Sequence, residues 1–174
     1  MVREKAIPGS LGYFVRDDGT VRLLSGRITY GCNDRYKAVG LRIAVKKYIT
    51  QRVHRLVAAA FVQNPRPDIF NVVDHINGDT HNNHYSNLRW LNDQLNGWNR
   101  HADCVTHQPL SKKTRWGIKV GGKYYGGCPA RAEALAKAKQ IRDQVFDRLY
   151  AEALASEPPF KECGTQTDET RLQK

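Results

Sequence analysis

The stretch that decides the reading is Val73-Asp74-His75-Ile76-Asn77-Gly78-Asp79-Thr80-His81-Asn82-Asn83-His84-Tyr85-Ser86-Asn87-Leu88-Arg89-Trp90, with Asn96 shortly after it. Just before it, Phe70-Asn71-Val72-Val73 predicts a short apolar strand that delivers Asp74 and His75 to its end. A polar loop rich in Asn and Gly follows, and Leu88-Arg89-Trp90-Leu91 predicts a second strand. Asn92 or Asp93 is placed to cap a helix carrying Gln94, Leu95, Asn96 and Trp98. Strand, loop, strand and helix in so short a span outline a β-β-α unit.

Asp-His followed by Asn-Gly-Asp, Asn-Asn, Ser-Asn-Leu-Arg-Trp and a further Asn resembles the HNH nuclease motif. It looks most like the homing-endonuclease branch, the HNN variant, in which asparagine replaces the last histidine of the name. The resemblance implies a site-specific DNA endonuclease of the kind carried by mobile elements and bacteriophages, hydrolysing phosphodiester bonds; because a single active site cuts one strand per binding event, nicking of one strand is expected. Such hydrolysis needs an activated water and something to absorb charge on the phosphate and the leaving oxygen. His75, with an ordinary pKa near ~6.5, suits the base if an acceptor holds its other nitrogen. Asp74 should point to the opposite side of the strand, because successive side chains alternate. With Asn96 it would offer an oxygen-only pair suited to Mg²⁺ or Mn²⁺ rather than zinc. By the resemblance, Asn87 belongs with His75 in the catalytic group as the amide that ties the loop and keeps the base pointed.

Each residue also has a plainer reading. Asp74 could end a strand, His75 could be a satisfied core histidine, Asn87 a turn residue and Asn96 part of a solvated helix face. Jointly those readings must explain the whole spaced pattern by accident. His81 and His84 read as surface residues, and Trp90 and Trp98 as core rather than base-stacking residues. A DNA-binding regulator that kept an inactive nuclease core is the alternative function, and a structural zinc protein using the histidine-rich loop is a third.

Upstream, Val53 to Val62 is alanine-rich with apolar residues at helical spacing, and Asn64-Pro65-Arg66-Pro67 stops it. His54-Arg55-Leu56-Val57-Ala58 resembles a segment often found before the HNH motif, where packing is the expected role. Earlier still, Tyr13 to Arg16 and Thr20 to Leu24 alternate around Asp17-Asp18-Gly19, a hairpin signal, and Ala38 to Ile43 reads as another strand of one small basic sheet. Residues from about Tyr13 to Leu24 resemble the small N-terminal module of homing endonucleases. Downstream, residues 101–111 read as a linker. Trp116 to Val120, Gly121-Gly122 and Lys123 to Gly126 then predict a hairpin, and a long helix with an apolar stripe opens at Pro129. Trp116 to Val145 resembles a truncated apetala-two-type DNA-binding domain, with the first strand missing or degenerate in Lys112 to Arg115. The expected organisation is α+β and modular: 1–52 a β-rich DNA-binding module, 53–100 the nuclease core, 101–111 a linker, 112–156 the apetala-two-like module and 157–174 a mobile tail.

The chain of 174 residues has a net charge of +11, which points to a polyanionic partner. The expected partner is double-stranded DNA, with no membrane and no small-molecule substrate, bound by a monomer. Arg16, Arg22, Arg27, Arg35, Lys37, Lys46 and Lys47 form one expected phosphate-gripping arm. Lys112, Lys113, Arg115, Lys119 and Lys123 form the other, and Arg89 joins them from the core. Cys32, Cys104, Cys128 and Cys163 contain no Cys-x-x-Cys pair, so neither a disulfide framework nor a zinc ribbon is signalled. His101, Cys104 and His107 are spaced for a zinc site that shows no fourth ligand. No apolar run follows the initial Met-Val-Arg-Glu-Lys, and a cytoplasmic, non-secreted protein is expected.

Overall fold

The computed structural model describes residues 1–32, 35–99, 105–107, 116–120 and 123–156. His101, Cys104, Lys112, Lys113, Arg115 and the tail 157–174 lie outside the described residues.

The N-terminal hairpin forms as its alternation predicts. Strands β2 (Phe14–Arg16) and β3 (Val21–Arg22) pair antiparallel, with Val15 opposite Val21 and both facing the core. They are extended by β1 (Glu4–Ala6) and β4 (Ile28–Thr29) into a four-stranded sheet. β1 is exposed throughout and carries no apolar alternation, which is why its pairing is invisible in the sequence.

The expected single sheet is instead two separate pieces. Ala38–Ala44 (β5) pairs with Lys47–Arg52 (β6) in a two-stranded ribbon, turning at Lys46, which has a left-handed φ of 57°. Val39 and Leu41 face the core, while nearly all of β6 faces solvent and offers no burial pattern to read.

Helix α1 (Val53–Phe61) buries Val53, His54, Val57 and Ala58. It packs against β7 (Val72–His75) and β8 (Leu88–Leu91), an antiparallel pair in which Asp74 lies opposite Arg89 and Val73 opposite Trp90. Trp90 is core, as expected: its Nε1 donates to the Val62 carbonyl at 3.1 Å and its ring packs against both neighbouring apolar clusters. Helix α2 (Asp93–Asn99) completes the β-β-α unit, and the Asn92 side chain caps it by accepting from the Leu95 N–H at 2.9 Å.

The segment expected to be a linker contributes a strand. Val105–His107 (β9) pairs with β10 (Trp116–Val120), which pairs with β11 (Lys123–Cys128), giving the order β11-β10-β9. Among the described residues, a strand of this sheet stands at 105–107, while the expected degenerate strand at 112–115 lies outside the described residues. Three residues with a half-buried Val105 and two exposed neighbours are too short for a period-two signal to emerge.

Helix α3 (Arg131–Ala155) backs that sheet with its first half, where Ala134 and Ala138 meet Ile118 and Val120. Its second half leaves the sheet: Phe146, Leu149, Tyr150 and Ala153 pack on Phe70, Leu91 and Leu95 of the β-β-α region. Arg66 fastens its end by donating to the carbonyls of Ala153 and Leu154, each at 3.1 Å, and to that of Ser156. The architecture is α+β, several small sheets held together by α1 and α3.

Candidate active site

β7 and the loop that follows it build the site. Asp74 and His75 are both buried, at 8% and 4% exposure. Strand alternation separates their contacts. Asp74 Oδ2 receives Arg89 Nε and Nη2, both at 2.9 Å, from the paired strand, whereas His75 Nε2 lies 3.0 Å from Asn83 Oδ1 in the loop. The two residues nonetheless line one cleft of about 330 Å³, because β7 ends at its mouth and the chain turns there, Gly78 N–H donating to His75 O at 2.8 Å. Asn96, half-buried on α2, lines the same cleft, and α2 packs directly against β7.

The loop's Asn and Asp content has a mechanical reason. Asn77 Oδ1 accepts from Asp79 N–H at 2.9 Å and Asp79 Oδ1 from His81 N–H at 2.9 Å, so short acceptors satisfy backbone donors two residues on. Asn87 staples the two ends. Its amide nitrogen donates to Asn77 Oδ1 at 3.0 Å and to Asn82 O at 2.8 Å, and its Oδ1 accepts from Asn77 N–H at 3.2 Å. It stands behind the loop and does not line the cleft.

Asn83 is the residue sequence reasoning missed. Its side-chain oxygen can only accept, so this contact favours the His75 tautomer protonated on Nε2. Asn83 is buried, and the hairpin turn presses on it: a Cβ on Gly19, whose φ is +87°, would stand 2.8 Å from the Asn83 carbonyl carbon. Gly19 thus serves both a left-handed turn and a close approach that only hydrogen permits. The sequence showed the turn but not what it touches.

His54 packs, as its segment leads one to expect, but it does so in the cleft itself. Its ring centroid is 5.1 Å from those of both Tyr36 and His75, and Tyr36 stacks on His75 at 6.2 Å. Burial, then the neighbouring His75 and the guanidinium groups of Arg52 and Arg55, push the His54 pKa down to about 4. Its Nδ1 is enclosed and finds no hydrogen-bond partner among the described residues. The ring is therefore a neutral wall at physiological pH.

Arg35, Arg52 and Arg55 also line the cleft, three cations at the mouth of a site whose carboxylate is already paired. Of the expected DNA-gripping residues among the described ones, only Arg35 joins it. Arg22 is held by Glu4 at 2.7 Å and Arg16 lies 3.5 Å from Asp18. Arg27, Lys46 and Lys47 are exposed on the N-terminal sheet and ribbon, with Lys37 half-buried beside them, and Lys119 and Lys123 are exposed on the C-terminal sheet. His107 packs against Trp116 with ring centroids 4.9 Å apart, and His81 is exposed. His84 is half-buried and caps the 3-10 turn Tyr85–Asn87 by accepting from the Ser86 N–H.

Compared with solved structures, the chain matches the HNH homing endonuclease I-HmuI, from a structure of its DNA binding and cleavage, with a TM-score of 0.50, 25% identity, and coverage of 90% of this chain and 94% of that one. The chain has the fold of an HNH homing endonuclease. Two uncharacterised HNH endonucleases of Acanthamoeba polyphaga mimivirus are similar in sequence. One is 51% identical over 75 residues, 43% of this chain and 22% of its own length; the other is 34% identical over 91 residues, 51% and 23% respectively. The chain thus spans less than a quarter of these curated relatives. No family model matches it. Among the described residues, no helix is long and apolar enough to cross a membrane.

Proposed function

We propose that this chain is a metal-dependent endonuclease that hydrolyses phosphodiester bonds of double-stranded DNA at the cleft lined by Asp74, His75 and Asn96. The convergence of those three side chains in one cleft, from a strand, its end and a separate helix, carries the reading. The fold shared with I-HmuI and the similarity to HNH endonucleases support it.

The donors fit a hard cation. Asp74 and Asn96 offer oxygen only, and among the described residues no three His, Cys, Asp or Glu side chains gather as a cage. That suits Mg²⁺ or Mn²⁺, which take one or two protein oxygens and complete their shell with phosphate and water. A bound divalent ion would supply stabilisation of charge on the phosphate and the leaving oxygen. His75 Nδ1 would take the proton of the attacking water, with Asn83 holding Nε2 so that this nitrogen is the one presented. Arg35, Arg52 and Arg55 would draw the DNA backbone into the cleft and hold it there. His54 and Tyr36 would wall the imidazole and keep water from reorienting it.

One such cleft cuts one strand per binding event, so the chain would nick, as a monomer. The exposed basic residues of the N-terminal and C-terminal sheets would supply register along the duplex, and the three-stranded C-terminal sheet backed by α3 would serve as an apetala-two-like arm. The test is supercoiled plasmid with and without Mg²⁺ or Mn²⁺. Wild type should yield open circles only with metal, and His75→Ala should lose cutting by about 10³-fold or more while binding DNA nearly as well. Binding without any metal-dependent nicking would favour the inactive regulator instead.

A further inference from the structure

Arg89 stands across the ladder from Asp74, and the bonds from its Nε and Nη2 converge on one carboxylate oxygen, Oδ2. The pair is sheltered, with side-chain exposures of 25% and 9%. The guanidinium also lies over the Phe146 ring of α3, its central carbon 4.1 Å from the ring centroid. Phe146 is held in turn: it stacks on Tyr150 at 6.0 Å and 12°, and Tyr150 stacks on the fully buried Phe70 at 5.5 Å and 17°. A continuous set of contacts therefore runs from the core beneath β8, through the long helix, back to the carboxylate.

We propose that Arg89 is a positioning residue for Asp74 and that Phe146 sets the plane of its guanidinium, which makes the C-terminal helix part of the metal-holding site. This rests on Asp74 being a metal ligand. A carboxylate at a strand end keeps rotation about its own bonds, and two bonds from a rigid planar fork converging on one oxygen pin that oxygen and restrict the rotation. A sheltered cation over an aromatic face is held more firmly than one in water. Partners of this kind, outside the ligand set, govern metal affinity by about 10- to 100-fold. Arg89, expected from sequence to grip DNA, is thereby used inside the protein.

The test is Mn²⁺ affinity of the full chain without DNA, measured by titration calorimetry, with thermal melting as the check on folding. Arg89→Lys keeps the positive charge, so repulsion toward the cation is unchanged and only the fork is lost; it should weaken Mn²⁺ binding about tenfold. Phe146→Leu keeps apolar bulk but removes the ring face and should weaken it about threefold, while Phe146→Tyr restores wild-type affinity. Because Phe146 acts through Arg89, the double variant Arg89→Lys with Phe146→Leu should lose less than the product of the two single factors. Unchanged or tighter binding in Arg89→Lys, or full multiplicative loss in the double variant, overturns the proposal. Asp74→Ala separates the levels: it should abolish this binding, and wild-type affinity in that variant would overturn the metal reading itself and this inference with it.

Discussion

His75 Nε2 and Asn83 Oδ1 stand 3.0 Å apart, and that contact holds the orientation of the imidazole proposed as the base. Asn83→Ala should therefore cut the nicking rate by about 10- to 100-fold with little change in DNA affinity, since only the orientation of the base is lost; single-turnover rates and a filter-binding Kd, compared side by side, check it. His54 makes a prediction of another kind. Its folded pKa of about 4 lies below the ordinary 6.5, so the unfolded chain binds the extra proton between those values and stability rises with pH across them. The contribution is complete above pH ~6.5 and falls away towards pH ~4, amounting at most to about 3 kcal/mol. Urea unfolding at several pH values should show this slope in the wild type and a shallower one in His54→Leu. Equal slopes would mean His54 is not held neutral by its surroundings.

At the scale of elements, the loop between β7 and β8 is held by its own side chains: Asn and Asp satisfy its backbone and Asn87 ties its ends. The N-terminal hairpin braces it from outside. Tyr85 N–H donates to Asp17 O at 3.0 Å, and Arg3 holds the Asp17 carboxylate at 2.8 Å, keeping its pKa below the usual value. A side chain at Gly19 must move Asn83, so Gly19→Ala is expected to lower the nicking rate at least fivefold while costing roughly 1–3 kcal/mol in stability. Rate and melting temperature measured on the same variant test it; an unchanged rate would show that the turn carries no positioning role. Helix α2 depends on Asn92 for its entry, and Asn92→Ala should cost about 1 kcal/mol, read by chemical denaturation.

At the scale of the molecule, the apolar clusters share their elements: Trp90 bridges two of them, and α3 contributes to the C-terminal sheet's core and to the one beneath β8. The expected modules are thus also in contact through apolar side chains. Exposed cations are spread from the N-terminal hairpin and ribbon to the C-terminal sheet, around a cleft with three arginines of its own. Affinity for DNA should then fall steeply with salt, by on the order of 10³-fold between about 50 mM and about 200 mM, as phosphate contacts displace counterions. Fluorescence anisotropy at a series of salt concentrations measures the slope, and a flat response would contradict a multi-contact phosphate grip.

The β-β-α order, the helix before it, the N-terminal and C-terminal hairpins and the long last helix were legible in the sequence because hydrophobic period, turn residues and caps are local properties. So was the pattern from Asp74 to Asn96, since its residues lie within one supersecondary unit. The pairing of β1, β6 and β9 was not, because those strands are short or exposed and owe their existence to partners elsewhere in the chain. Nor could sequence show Asn83 under Gly19, His54 against His75, or Arg89 between Asp74 and Phe146. Local chemistry determined which residues are equipped for the proposed metal-assisted site; only tertiary packing decided what holds each of them in place, because those contacts join positions far apart in the chain.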